Sequence, residues 1–200
     1  MVELVLNEDH LGAVLKPALQ RCRYRLFIAS ADVKLVHVPG AGRRARSILA
    51  LFDDLSERGV ETRLLHSGIP SGPFLEALKE RQVGEKGSDP FFDPETEKGP
   101  DPGRGRFTMR RCPRMHVKAV VADGRWMYLG SANLTGAGIG AKSARRRNFE
   151  AGLVTDDLAL IDPVVDLLDA IWTGARCDDC GRRAHCPVPL EEPDLAPSGG

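Results

Sequence analysis

No stretch of this chain approaches the ~20 consecutive apolar residues that a membrane-spanning helix needs, so the sequence excludes a helical span. The opening MVELVLNEDH carries acids and lacks the basic start and long apolar run of a secretory leader. A cytoplasmic location without stable membrane association is therefore expected. Net charge is missing too: 28 Lys and Arg balance 28 Asp and Glu, so the partner must be sought in how charge is distributed rather than in its total. No internal repeat is present. What remains, 200 residues with 42% hydrophobic and 28% charged, is the composition of one ordinary domain with a single core.

The hydrophobic pattern alternates between helix and strand periods. HLGAVLKPALQRCR reads as an amphipathic helix interrupted at Pro17, RLFIASADVKLV as a strand, ARSILALFDDLSERG as a helix closed by Gly59, VETRLLHSG as a strand and PFLEALKERQ as a helix. FEAGLVT follows later as a strand and LALIDPVVDLLDAIW as a helix. This rhythm predicts an α/β domain over residues 1–174, a mixed sheet sandwiched between helices. Residues 84–106, rich in Gly, Pro and acids without periodicity, read as a flexible insertion. Residues 175–187 read as a cysteine-rich metal-binding segment and residues 188–200 as a disordered tail.

The chemistry concentrates in HVKAVVADGRWMYLGSAN, which starts at His116. MHVKAVVAD alternates and is β-branched, so it reads as a strand whose period of 2 puts His116 and Lys118 on one face. Asp123-Gly124 is a tight-turn signal, WMYLG returns as the partner strand, and Gly130-Ser131 lets the backbone approach closely before Asn133. A neutral imidazole, an ammonium, a hydroxyl and an amide at one point suit attack on phosphorus. The imidazole supplies the nucleophile, and the other three hold the non-bridging oxygens as charge builds, so no metal is required.

His116, Lys118, Asp123, Gly130, Ser131 and Asn133 together resemble the HKD signature of the phospholipase D superfamily at every specified position. The resemblance implies a phosphodiesterase acting through a phosphohistidine at His116. It gives Asp123 a supporting role in the turn, and it implies that Glu150, at the start of FEAGLVT, hydrogen-bonds the catalytic imidazole and fixes its tautomer. The motif occurs once. In-line displacement needs an acid on the face opposite the nucleophile, so a single copy implies a homodimer with the two histidines facing each other.

From Gly103 to Arg147 eleven Lys or Arg stand against Asp123 alone. A cationic zone around a phosphodiester-cleaving motif suits a polyanion, so the expected substrate is nucleic acid, DNA ahead of RNA, with Arg110, Arg111, Arg114, Arg145, Arg146 and Arg147 as candidate contacts. Two rivals stand beside this nuclease reading. One is a phospholipase D or cardiolipin-synthase type of phospholipid hydrolase or transferase. The other is a non-catalytic nucleic-acid-binding module of a repair or defence complex.

CDDCGRRAHC sets Cys177, Cys180 and Cys186 in a C-x2-C-x5-C spacing, which in a cytoplasmic protein points to a metal rather than to disulfides. Candidates for a fourth ligand are Cys112, His185 and Cys22, of which Cys112 is preferred because Cys22 falls in an amphipathic helix and His185 adjoins Cys186. Structural zinc is one candidate occupant. The other is a 4Fe-4S cluster, since the spacing resembles the iron–sulfur staple of certain recombination and CRISPR-associated exonucleases.

Overall fold

The computed structural model of the chain describes residues 1–39, 45–84, 105–182 and 186. Nearly all of the expected insertion, the expected tail and His185 lie outside the described residues.

Among the described residues, nine strands and four α-helices follow one another as β1 (Val2–Leu6), α1 (Lys16–Arg21), β2 (Arg25–Ser30), β3 (His37–Pro39), β4 (Ala45–Ser47), α2 (Ile48–Glu57), β5 (Glu61–His66), α3 (Gly72–Gly84), β6 (Phe107–Arg111), β7 (Ala119–Ala122), β8 (Trp126–Gly130), β9 (Ala151–Thr155) and α4 (Leu158–Trp172). Seven strands form one sheet in the order β1-β9-β8-β7-β2-β5-β6, while β3 and β4 make a small separate hairpin. β2, β5 and β6 run parallel, and β7, β8, β9 and β1 are antiparallel to their neighbours. The expected mixed sheet between helices is thus the architecture.

Two apolar layers hold it together. On one face Val14, Leu15 and Ala18, with Ile48, Leu49, Phe52 and Leu55 of α2 and Phe74 of α3, pack against Leu26, Ile28 and Leu64. On the other, Ile161, Leu168 and Trp172 of α4 cover Phe27, Ala29, Leu65, Val121 and Met127. Consecutive β2 residues point alternately into these two layers, so a strand at the centre of the sheet must be apolar throughout. α2 begins where Ser47 Oγ accepts the Ala50 N–H at 3.2 Å, and the chain beyond it reverses through Gly59 at φ +79°.

The first helix departs from expectation. Pro17 has no N–H for the carbonyl four residues back, and Leu11–Leu15 winds as a π-helical turn before the short α1. Four strands were not legible: β3 and β4, the latter within a stretch that reads as the start of a helix, and the two edge strands of the large sheet. β1 lies at one edge of the sheet, beside β9, in a stretch read only for its acids. β6, at the other edge, carries two arginines, as edge strands often do.

The turn between β7 and β8 has Asp123 at φ +55° and Gly124 at φ +64°, the pair of left-handed residues that a tight type I′ hairpin demands. The Asp123 carboxylate accepts the backbone N–H groups of Arg23, Tyr24 and Arg25, each at 2.8 Å, and the Cys22 thiol at 3.4 Å. Burial alone would raise this carboxyl, but the backbone donors outweigh it and hold it below the ordinary carboxylate range. Asp123 therefore anchors the far end of the hairpin, with the length of β7 between it and Lys118.

A carboxyl depressed in the folded state contributes stability that is fully present above its unfolded pKa and lost as pH falls through its folded value. Asp123→Asn keeps the shape and the tolerance of positive φ but loses the charge, so it should cost about 2 kcal/mol near neutrality. Urea unfolding should show that gap unchanged above about pH 5 and narrowing as the pH is lowered further. A constant gap down to the most acid condition would assign the loss to shape rather than charge.

Candidate active site

β7 begins at Ala119, so His116 and Lys118 stand just before the ladder rather than inside a strand. The last β2–β7 pair is Ala29 with Ala119. Beyond it, the Ser30 hydroxyl donates to Asp32 O at 2.6 Å and accepts the Leu134 N–H at 2.7 Å. On the other side Gly130 N–H still donates to Lys118 O at 3.1 Å. The site thereby sits at the carboxyl end of β2, where the sheet changes from parallel to antiparallel pairing.

His116 is exposed, whereas Lys118 is only 8% exposed. The Lys118 ammonium lies 2.9 Å from His116 Nδ1 and 3.2 Å from Nε2, and donates to His116 O at 2.9 Å. Burial pulls the Lys118 pKa below the ordinary lysine value, against the opposing field of Glu150. The His116 imidazole and the Lys118 ammonium therefore share one face.

Asn133 is held by its carbonyl oxygen, which accepts the Asp32 N–H at 3.0 Å and the Ser30 hydroxyl at 3.4 Å. This leaves the donor end of the amide for an anion.

Glu150 corrects the expectation from the motif. Its carboxylate does not bond the imidazole: one oxygen accepts the Ser131 hydroxyl in a short bond, and the other accepts Asn148 Nδ2 at 2.9 Å. The reason is register. Gly130 pairs with Gly152, and Ser131 N–H donates to Ala151 O at 2.9 Å, which brings Ser131 against Glu150 while the exposed His116 ring turns to Lys118. Ser131 is likewise a donor to Glu150 rather than a free hydroxyl, and its oxygen accepts the Ala151 N–H at 3.0 Å.

Several supporting residues carried no signal in the sequence. Asn7 Oδ1 accepts the Glu150 N–H at 3.2 Å, fastening β1 to the site. The Tyr128 ring lies over Gly130 and Gly152: a Cβ at Gly130 would stand 2.3 Å from Tyr128 Oη, and one at Gly152 would stand 2.4 Å from the ring. Ala132 N–H donates to the phenol oxygen at 3.2 Å, and burial pushes that phenol up to about 12, so Tyr128 buttresses the Ser131–Asn133 turn as a neutral group.

The candidate arginines separate into three groups. Arg110 stacks over Trp172 at 5.1 Å and donates to Trp172 O at 3.0 Å, and Arg111 donates to Ser67 O at 3.1 Å, so both serve the interior of the fold. Arg147 donates to Lys142 O at 2.7 Å and pairs with Glu8 at 3.3 Å, while Arg114 reaches Cys180 Sγ at 3.4 Å. Arg145 and Arg146 are exposed on a 3-10 turn just ahead of Glu150.

Cys112, Cys177, Cys180 and Cys186 line one cavity of ≈ 470 Å³, and no disulfide joins them. Among the described residues, however, no three His, Cys, Asp or Glu side chains converge closely enough to hold a single ion, so a preformed four-thiol zinc site is not present. Cys22 is elsewhere, buried, with its thiol pushed up to about 12 by burial and the neighbouring Asp123.

The family model described as cardiolipin synthase, PLD-like domain matches residues 15–172, most of the chain. This chain belongs to the phospholipase D superfamily. Its chemistry is that of a phosphodiesterase. Nuc from Salmonella typhimurium, a phospholipase D family member, shares the fold with a TM-score of 0.56 at 12% identity, over 86% of this chain and 94% of its own. TrmBL2, an archaeal chromatin protein with a novel mode of DNA binding, superimposes with a TM-score of 0.51 at 14% identity. That match covers 86% of this chain but about half, 52%, of TrmBL2. Phosphatidylserine synthase of Haemophilus influenzae gives 0.50 at 16% identity over 85% of this chain and 38% of its own. No curated protein matches the chain. Among the described residues of this phospholipase D-like protein, no helix is long and apolar enough to cross a membrane.

Proposed function

We propose that the protein is a metal-independent nuclease that cleaves a phosphodiester through a phosphohistidine at His116. The observation that carries this reading is the exposed imidazole beside a buried ammonium. His116 attacks phosphorus in line, the P–N bond forms as the P–O bond to the leaving group breaks, and Lys118 with Asn133 stabilises the charge on the non-bridging oxygens. Water then breaks the P–N bond and restores the imidazole.

The leaving oxygen needs a proton from the opposite face. His10 and His66 are fully buried, with their Nδ1 atoms against backbone carbonyls at 2.7 and 2.8 Å, and His37 belongs to the small hairpin. We assign the acid to His116 of a second copy in a homodimer. An uncovered apolar face supports this assignment. Leu4 on β1 pairs with Leu153 on β9, which pairs with Leu129 on β8, so the three share one side of the sheet, with Val2 and Leu6 beside Leu4. Leu4 is 69% exposed, and Phe149, next to Glu150, is 97% exposed. Leu129 is packed against the α4 layer, but a monomer would leave Val2, Leu4, Leu6 and Phe149 in water, whereas a second copy would cover them. Light scattering should give twice the chain mass, and a strictly monomeric active enzyme would refute the shared site.

For the polyanion, Arg145 and Arg146 are the supported contacts, and DNA is the expected form. Each neutralised phosphate releases condensed counterions, so the double variant Arg145→Ala/Arg146→Ala should reduce the slope of log K against log salt by about 1.4–1.8. Binding should be measured by anisotropy from low to physiological salt with duplex DNA, single-stranded DNA and anionic phospholipid vesicles. An unchanged slope would remove these two residues from the interface. Turnover of the vesicle lipid with inert DNA would favour a phospholipid hydrolase or transferase, and binding without turnover of any substrate would leave a binding module.

A further inference from the structure

The parallel strands β2, β5 and β6 end together, and His116 stands at that end of the sheet. A cavity opens beside it. The turn after β6 is closed by the Met115 N–H, which donates to Cys112 O at 2.9 Å, and it leads directly into His116. The C-terminal end of α4 reaches the same place, where Arg110 of β6 donates to Trp172 O at 3.0 Å. Between this turn and the chain after α4 lies the space of ≈ 470 Å³, within the size range of small-molecule sites. Its floor is apolar, made by buried Met115 with Leu167 and Ile171, and its rim carries Arg114, Arg176 and Arg182, with Asp179 the one acid among the lining residues. All three arginines are exposed, and among the described residues no carboxylate pairs with them. Arg114 donates to Cys180 Sγ at 3.4 Å and, with the backbone and charge of Arg182, holds that thiol below the ordinary thiol range, so the rim favours negative charge.

We infer that this cavity receives a nucleotide next to the scissile phosphodiester, with its base on the Leu167–Ile171 floor and its phosphate on the arginine rim. The inference rests on the nuclease reading and narrows its substrate to a single strand. Two residues of chain reach at most about 7 Å, so Arg114 holds the mouth of the cavity close to His116, on the scale of one nucleotide step. A base inside a cavity has left both its stack and its partner, which costs least in a strand that has no complement. Guanidinium planes and aliphatic side chains accept the face of any base, so the subsite reads strandedness rather than sequence. An inorganic anion would engage the rim alone and leave the apolar floor unused.

The test compares two phosphodiesters on the full chain: a labelled single-stranded oligodeoxynucleotide, and bis(p-nitrophenyl) phosphate, which has no neighbouring nucleotide. Leu167→Glu, on the exposed side of α4, and the double variant Arg176→Ala/Arg182→Ala should each raise KM for the oligonucleotide about tenfold while kcat/KM for the small diester stays unchanged. Wild type should also show a KM for blunt duplex of the same sequence about tenfold above that for the single strand, and both variants should narrow that difference. Cleavage of both diesters by wild type, with the oligonucleotide KM unmoved in both variants, would overturn the subsite and leave the nuclease reading standing. An equal loss on both diesters would assign these residues to support of the catalytic turn and would likewise overturn it. Failure of wild type to cleave either diester would instead defeat the nuclease reading, and the subsite with it.

Discussion

Replacing His116 by alanine should lower phosphodiester cleavage by at least about three decades, because it removes the atom that forms the covalent intermediate in the proposed mechanism. The His116 ring is exposed and contributes nothing to either apolar layer, so the variant should fold with unchanged stability and bind substrate with its usual salt dependence. Wild type should turn over in excess EDTA, since the transition-state charge is met by Lys118 and Asn133 rather than by a divalent ion. Alkaline quench in detergent during turnover of labelled substrate should trap label on the wild-type protein, stable to alkali and released by acid as a phosphoramidate is, and none on His116→Ala. Near-normal rates in the variant, or activity that returns only with Mg²⁺ or Mn²⁺, would rule out this site.

The parts of the fold that could be read in advance were those where one periodicity dominates. Residues 26–29 of β2 and all of β7 are apolar because both faces are covered there, and α2 and α4 each show an apolar stripe with a polar cap. β1 and β6 escaped notice because edge strands need only half of their surface buried and tolerate charge on the rest, so their local pattern is weak. The contact of Lys118 with His116 was legible because close spacing along the chain fixes direction as well as proximity. Glu150 was found but its bond was not, since its partner depends on the cross-strand register of Gly130 with Gly152, a long-range fact. Tyr128 was missed for the same reason: a tyrosine two residues before a glycine says nothing until the opposing strand also presents a glycine. Net charge along the chain misled for Arg110, whose guanidinium shares the Trp172 ring with Arg63, because linear clustering does not separate a stacked arginine from a solvated one.

Lys118 offers the sharpest test of how charge is used. Its ammonium is almost entirely buried yet lies within hydrogen-bond distance of the nucleophile, a costly placement unless the cation meets an anion that arrives with the substrate. Lys118→Met keeps the stem and fills the space, so it should fold, leave KM nearly unchanged and reduce kcat by about 10²–10³-fold, the usual loss when one preorganised donor to a developing oxyanion is removed. The pH profile separates this from a packing effect. Because burial lowers the Lys118 pKa, the ammonium loses its proton at a pH below the ordinary lysine range, and the wild-type rate should fall on the alkaline side through that lowered value. Lys118→Arg, slower because a planar guanidinium fits the pocket poorly, keeps its charge to much higher pH and should lack that alkaline limb. If wild type and Lys118→Arg show the same alkaline limb, the titrating group is not Lys118, and its role is to support the segment rather than to stabilise the transition state.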